Sequence, residues 1–419
     1  RFTFITPWRW YWFLLGCGSR VTDHSYRLII HQTGYDEPMN HSVRYDESTF
    51  AGVLRPVEQA ESLPPWCYTE HSVYVREQER LFRGGWVSVG REDRWRNAGD
   101  YVALEVGGTP IIVLRDENGT LRSFANSCRH RGMLLLKLGD GHCERITCPF
   151  HGWNYRLDGS LQAAPNMTDA VNFDTNNYGL VEISLAARAG FVFVNLDGRA
   201  GSIDDWLGDF EALHEPWSFG TVVTGYRSEF EIRCNWKAYL EVFNEYYHIQ
   251  KVHPRTVGML YETPDPPDEV RGNFTTQFGL HKQVDSVGKL DDGVEPLPIM
   301  STLRGKERSG TRYTWIYPSL TFAASVDAIW ILEACPRTAD TTTGSLTLCF
   351  PEETAAREDF LDRAEVYQRR MDVALAEDIE ILERQQLGLN SVLARPGRFS
   401  PLLEPSVHAF QTWLVNQLI

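Results

Sequence analysis

The sequence predicts an α+β chain. A small antiparallel β domain occupies about residues 84–200, and a larger α+β domain, an antiparallel sheet covered by helices, runs over 201–419. Three observations predict this. Short β-type runs separated by tight turns crowd the first region. Longer strands and one long helical stretch fill the second. The composition, 42% hydrophobic and 23% charged, is that of an ordinary globular chain, and 419 residues suffice for two or three domains of ~150 residues.

The elements follow in order. Residues 39–83 form an N-terminal segment with a short helix at 76–83 (VREQERLF), expected to pack on the larger domain. WVSVG, YVALEVG and PIIVLRD are strands, Asn118-Gly119 marks a hairpin turn, and LRSFANS is the returning strand. Residues 145–162 give two more short strands around Asp158-Gly159, and GFVFVNL closes the domain. Beyond it come a helix at 203–213, a strand at 221–235, and a stretch at 236–250 that mixes helix formers with aromatics. A long Pro/Gly/Asp-rich loop at 262–310 precedes three strands, TRYTWIYPSLTFAAS, AIWILEACPRT and GSLTLCF. Apolar residues at mixed three- and four-residue spacing predict a helix over 354–387 with Gly388 as its cap, and a final helix spans 405–417.

Charge and cysteines bound the function. Lys and Arg total 41 against 56 Asp and Glu, a net −15, so a nucleic acid is a poor partner. No apolar run reaches the ~18 residues of a membrane span. Residues 1–38 contain a short, interrupted apolar run ending in Leu-Leu-Gly-Cys17. The first Met is Met39, and 1–38 reads as a poorly ordered extension. Eight cysteines are too sparse for a disulfide scaffold. Cys128, Cys143 and Cys148 nevertheless cluster beside His130, His142 and His151, which points to a metal in a reducing, cytoplasmic compartment.

Cys128-Arg-His130 and Cys148-Pro-Phe-His151 each supply one thiolate and one imidazole from a loop beside a hairpin. Two such loops could hold a tetrahedral zinc. The Cys-x-His and Cys-x2-His pairing suits better a [2Fe–2S] cluster with two Cys on one iron and two His on the other, a Rieske centre. His142 and Cys143, in the turn GDGHCE, match no ligand position. Trp153 and Tyr155 are candidates to shield the cluster.

A second set lies in AYLEVFNEYYHIQKVHP. His248 and His253, five residues apart, are roughly 140° apart on a helix, so the chain must leave the helix between them. Two such histidines and one distant carboxylate fit a facial triad for Fe(II), although two unrelated histidines would give the same pattern. Asp372, Glu377, Asp378 and Glu380 all compete for the carboxylate.

CRHRG, CPFHGWNY and NWK…E-x2-H-x4-H together resemble the Rieske non-haem iron oxygenases, the catalytic large subunits of aromatic ring-hydroxylating and related enzymes. The resemblance runs from about residue 55 to the C-terminus. It implies a Rieske cluster on Cys128, His130, Cys148 and His151, mononuclear Fe(II) on His248, His253 and Asp378, and a bridging role for Glu245 between His248 and a Rieske histidine of a neighbouring subunit. Glu at 245 resembles the members that oxidise carnitine, choline and glycine betaine. Val242 stands where many relatives carry Asn. The implied activity is that of a terminal oxygenase, hydroxylating a small molecule by mono- or dioxygenation with O2 and electrons from NAD(P)H. No G-x-G-x-x-G or plant-type ferredoxin motif is present, so a partner reductase or ferredoxin is implied. A homotrimer is expected, with or without a small β subunit. Aromatic side chains in and around 239–330 suit an aromatic acid, as in aromatic compound catabolism, and a quaternary amine about equally. The rival readings are an electron-transfer Rieske protein without oxygenase activity and a zinc-structured binding module.

Overall fold

The computed structural model describes residues 45–254, 257–258, 260–282 and 295–419. The 1–38 extension and the first residues of the 39–83 segment lie outside the described residues. In the β region, β1 (Val87–Arg91) pairs with the last strand, β10 (Phe191–Asn195), which pairs with β9 (Ser184–Arg188). Next in the chain come β2 (Asp100–Val106), β3 (Thr109–Arg115), β4 (Leu121–Ala125) and β5 (Gly139–His142), which form one sheet in the order β4-β3-β2-β5. The β3–β4 turn closes because Asp116 Oδ1 accepts from the N–H groups of Asn118 and Thr120, each at 2.9 Å, and Gly119 takes φ +81°. Three very short strands, β6 (Ile146–Thr147), β7 (Asn154–Tyr155) and β8 (Leu161–Ala163), replace the two expected over 145–162. The GDGHCE turn is in part a strand, β5, on the edge beside β2, where His142 Nδ1 lies 3.0 Å from Asp100.

β3 divides two cores. Successive strand side chains face opposite ways. Ile111 and Val113 therefore enter the core that also holds Trp236 and Tyr239, while Ile112 and Leu114 pack around Cys128 and Cys148. All four are fully buried, which explains why this run shows no polar alternation.

The helix expected at 203–213 is two helices, α2 (Ile203–Leu207) and α3 (Phe210–His214). They break at Gly208, where φ is +51° and a Cβ would lie 2.1 Å from the Arg271 carbonyl. The large sheet is antiparallel, in the order β11-β16-β15-β14-β13-β12. Its strands are β11 (Val222–Ile232), β12 (Phe274–Leu280), β13 (Gly310–Ile316), β14 (Leu320–Ala324), β15 (Ile329–Pro336) and β16 (Thr342–Pro351). Two expectations fail here. TRYTWIYPSLTFAAS is a hairpin, β13–β14, rather than one strand; the chain turns at Pro318, whose carbonyl accepts from the Trp315 indole at 2.8 Å. β12 lies inside the expected loop. Its middle, Thr275-Thr276-Gln277, is buried but polar, and partners such as Thr314 Oγ1, 2.8 Å from Thr276 Oγ1, satisfy it.

Helices α4 (Trp236–Phe243), α5 (Ile249–Val252), α7 (Phe360–Leu389) and α8 (Pro405–Leu418) cover this sheet, and α6 (Glu352–Ala355) links β16 to α7. α7 continues through Gly388 to a cap at Asn390, so Gly388 is not its terminator. The start of α4 is fixed twice. Asn235 accepts from Lys237 N–H at 3.0 Å, and Lys237 Nζ lies 2.7 Å from Glu77 at the end of helix α1 (His71–Glu77). Neither charged side chain of that pair is exposed, and the Trp236 indole also donates to Glu77 at 2.8 Å. The N-terminal segment thereby anchors the helix that leads into the second histidine set.

Candidate active site

Two loops of matching design carry Cys128 and Cys148. In each, the cysteine carbonyl accepts from the glycine four residues on, Gly132 at 2.8 Å and Gly152 at 3.1 Å. In each, the cysteine N–H donates to the carbonyl five residues on, Met133 at 2.9 Å and Trp153 at 2.7 Å. Both glycines take φ +73°, a left-handed conformation that glycine adopts without strain. The two loops hold His130 and His151 with ring centroids 4.7 Å apart, while the cysteines are buried and His151 is exposed. Trp153 stacks on His130 at 5.1 Å and 11°. Burial, then the hydrogen bond to Cys128, raise the Tyr155 pKa, so its hydroxyl stays protonated. That hydroxyl lies 3.3 Å from Cys128 Sγ and accepts from Arg129 N–H at 3.0 Å. Two soft thiolates at the buried side and two imidazoles at the open side suit a cluster with chemically distinct irons.

The second set forms where α5 meets α7. His248 precedes the single turn of α5 and His253 ends it, which puts both rings on one side of a helix too short to separate them. Their centroids are 5.1 Å apart. Asp378 projects from α7 one turn beyond Ala374, along the apolar stripe that includes Met371 and Leu382. One ligand atom from each of His248, His253 and Asp378 lies within 4.8 Å of the others. Asp378 Oδ1 is 2.9 Å from His253 Nε2 and 3.7 Å from His248 Nε2. Among the described residues that buried oxygen nonetheless makes no aligned hydrogen bond. Two imidazole nitrogens and an orphaned carboxylate oxygen facing one small space fit a divalent iron with open positions.

Both imidazoles are held from behind. Glu245 Oε1 lies 2.5 Å from His248 Nδ1, and Glu377 Oε2 lies 2.8 Å from His253 Nδ1. Each carboxylate fixes the Nδ1–H tautomer and leaves Nε2 for a metal. Burial opposes a charge on His253, but Asp378 and Glu377 outweigh it and raise its pKa. Glu245 also accepts from the N–H groups of Tyr247 and His248. Glu377, a rival for the third ligand in the sequence, is the partner of a histidine instead. Its position next to Asp378 was the only sequence signal for that role. Asn244 does not stand in for the Asn missing at 242: its amide donates to the Leu240 carbonyl at 2.7 Å and its oxygen accepts from Thr321 at 3.0 Å. Val242 itself lines the cavity.

That cavity opens beside the three-residue set. Phe243, Val257, Tyr313, Trp330, Leu332, Leu346, Met371 and Leu375 are among its walls, and Glu245 and Asp378 are the charged residues of its described lining. No Lys or Arg is among the described lining residues.

A thiolate–imidazole loop pair on a small β domain, followed by a two-histidine, one-carboxylate set on a helix-covered sheet, defines a Rieske-type oxygenase. Comparisons agree. Residues 85–178 match the Rieske [2Fe-2S] domain, and residues 219–418 match the ring hydroxylating alpha subunit (catalytic domain). The carnitine monooxygenase oxygenase subunit of Acinetobacter pittii is 30% identical over 333 residues, covering 79% of this chain and 85% of that protein. The glycine betaine monooxygenase oxygenase subunit of Pseudomonas aeruginosa is 25% identical over 397 residues, covering 88% and 92%. Among solved structures, a quaternary ammonium Rieske monooxygenase in complex with L-carnitine aligns with a TM-score of 0.74 at 26% identity, over 89% of this chain and 99% of that one. Naphthalene 1,2-dioxygenase from Rhodococcus, at 21% identity and a TM-score of 0.70 over 85% and 94%, shares the fold. The chain belongs to the Rieske non-haem iron oxygenases and is an oxygenase component of that family. Its cofactors are a [2Fe–2S] cluster and a mononuclear iron. Among the described residues, no helix is long and apolar enough to cross a membrane.

Proposed function

We propose that this oxygenase acts on a small quaternary ammonium compound by monooxygenation. The observation that carries the reading is the cavity: aromatic side chains at Phe243 and Tyr313, and no Lys or Arg among the described lining residues. Aromatic faces attract a methylated ammonium. An arene would be held by the same side chains through stacking alone, without the attraction a cation gains from their faces, so the aromatic half of the sequence expectation is not carried forward. The relatives named for carnitine and glycine betaine support the choice.

In this reading Cys128, His130, Cys148 and His151 hold the cluster, and His248, His253 and Asp378 hold the iron. When bound, these groups supply single-electron transfer and O2 activation. The chain supplies the rest. Tyr155 steadies Cys128, Glu245 and Glu377 orient the two iron histidines, and the apolar walls keep water from the reacting carbon. A reductase or ferredoxin brings electrons from NAD(P)H, and the cytoplasm is the fitting compartment for free cysteines. The functional unit is a ring of three chains, in which exposed His151 of one subunit approaches Glu245 of the next, a head-to-tail contact that closes on itself. A solved quaternary ammonium Rieske monooxygenase described in terms of inter-subunit electron transfer supports that route.

NAD(P)H-coupled O2 uptake with a matched reductase, screened over betaines, choline and arenes, tests the substrate. Ammonium compounds are expected to give coupled turnover. Coupled turnover on arenes alone contradicts the reading. Glu245→Gln tests the route: both metals stay loaded, the reductase still reduces the cluster, and turnover falls at least tenfold. Wild-type turnover in that variant removes the bridge.

A further inference from the structure

Besides the Asp378 oxygen that faces the metal set, the described lining of the cavity includes one side chain with an unused polar group. Trp330 is 5% exposed, and its indole nitrogen is buried without a hydrogen-bond partner among the described residues. Indole N–H is a donor only, and an unmet buried donor is a standing cost unless an acceptor reaches it. Trp330 lies on β15 two residues from Leu332. Both point to the face of the sheet that closes the cavity, and Leu346 on β16, the partner of Leu332, joins them there. The neighbouring polar wall group is already paired: the Tyr313 hydroxyl lies 2.8 Å from that of Tyr261. The other described walls above the metal set are aliphatic or phenyl, apart from the Met371 thioether, which is at most a weak acceptor. A tryptophan that served only as a cation–π face or as core would need no open nitrogen, and Phe would fill the wall without the cost.

We propose that Trp330 is a specificity-determining residue whose Nε1–H donates a hydrogen bond to an oxygen of the substrate, a carboxylate or a hydroxyl. This rests on the ammonium reading above and deepens it. Phe243 and Tyr313 take the methylated ammonium, and Trp330 reads an oxygen carried on the same molecule, which sets its reach along the cavity. The site would then prefer betaine- or choline-type compounds over alkyl ammoniums of equal size that lack oxygen. A buried donor that finds its acceptor discriminates strongly against an analogue without it, because the analogue leaves the donor unmet.

The test compares two variants with wild type on three substrates: glycine betaine for the carboxylate, choline for the hydroxyl, and ethyltrimethylammonium, which has neither. Trp330→Phe removes the donor and some volume. Site-specific benzothienylalanine at 330 replaces N–H by sulfur and keeps the bicyclic shape. In both, KM for the oxygen-bearing substrate that wild type prefers should rise roughly 10- to 100-fold, while KM for ethyltrimethylammonium changes less than about threefold. Iron content and the Rieske absorbance should not change. Equal losses on all three substrates in the benzothienyl variant would make Trp330 a packing residue and overturn the proposal. So would an unchanged preference in both variants. Wild type inactive on all three ammonium compounds but active on an arene would overturn the ammonium reading itself, and this inference with it.

Discussion

Glu377→Gln tests how the iron histidines are held. In the wild type the Glu377 carboxylate lies 2.8 Å from His253 Nδ1, and His253 Nε2 is 2.9 Å from Asp378. Gln keeps the length of the side chain and can still accept a hydrogen bond through its oxygen, but it removes the charge that raises ligand basicity and fixes the tautomer. Loss of such a partner weakens metal binding by roughly 10- to 100-fold. The Glu377 side chain is 33% exposed, so solvent screens its charge, and the low end applies: about tenfold, or ~1.4 kcal/mol. The assay is an anaerobic Fe(II) titration of protein stripped of its mononuclear iron, with the Rieske absorbance as an internal standard. The expected result is a tenfold higher Kd, a full site at saturating iron, and an unchanged Rieske spectrum. Unchanged affinity would mean that Glu377 does not support His253. Complete loss of the iron would make Glu377 the ligand in place of Asp378.

Two further outcomes follow from other parts of the molecule. His130→Cys should lower the reduction potential of the cluster, because a thiolate adds negative charge where a neutral imidazole stood; a redox titration with an unmoved midpoint would contradict the assignment. His214 is fully buried between the Phe210 carbonyl, 2.6 Å from Nδ1, and Thr314 Oγ1, 2.7 Å from Nε2, and burial lowers its pKa to about 3. The unfolded chain takes up the proton near pH 6.5 and the folded one does not, so the stability this group contributes is present above about pH 6.5 and is lost as pH falls toward 3. At pH 5 the loss is about 2 kcal/mol. Denaturant unfolding of wild type and His214→Gln at pH 7.5 and pH 5 should show a smaller acid loss in the variant by about that amount; equal losses would show that His214 is not held neutral.

Much of this was legible in the sequence because the signals were local. The two cysteine loops repeat one design, and the spacing of each pair is enough to find it. Ile111 to Leu114 read as a strand on apolar content alone. His248 and His253 stood out because a helix could not place both rings on one face, and the structure puts them at the two ends of a single turn. What escaped depended on distant partners. The break at Gly208 comes from the Arg271 carbonyl, more than sixty residues away. β12 is a strand because Thr276 and Gln277 find polar partners on neighbouring segments, which no hydrophobic period announces. Asp378 and Glu377 are adjacent acids on one helix, and only the positions of the two histidines distinguish the residue facing the metal space from the one behind a ring. Trp330 carried no polar signal at all, since an unused indole N–H is visible only once its surroundings are known.

The central claim is that one chain holds two distinct iron centres on the residues named here, and Asp378→Ala tests it most directly. Iron and acid-labile sulfide are measured per chain alongside the Rieske electron paramagnetic resonance signal of the reduced protein. Wild type should hold three irons and two sulfides, and Asp378→Ala two irons and two sulfides with the Rieske signal intact. A variant that keeps its third iron, or one that loses the Rieske signal together with it while remaining folded, would contradict the account.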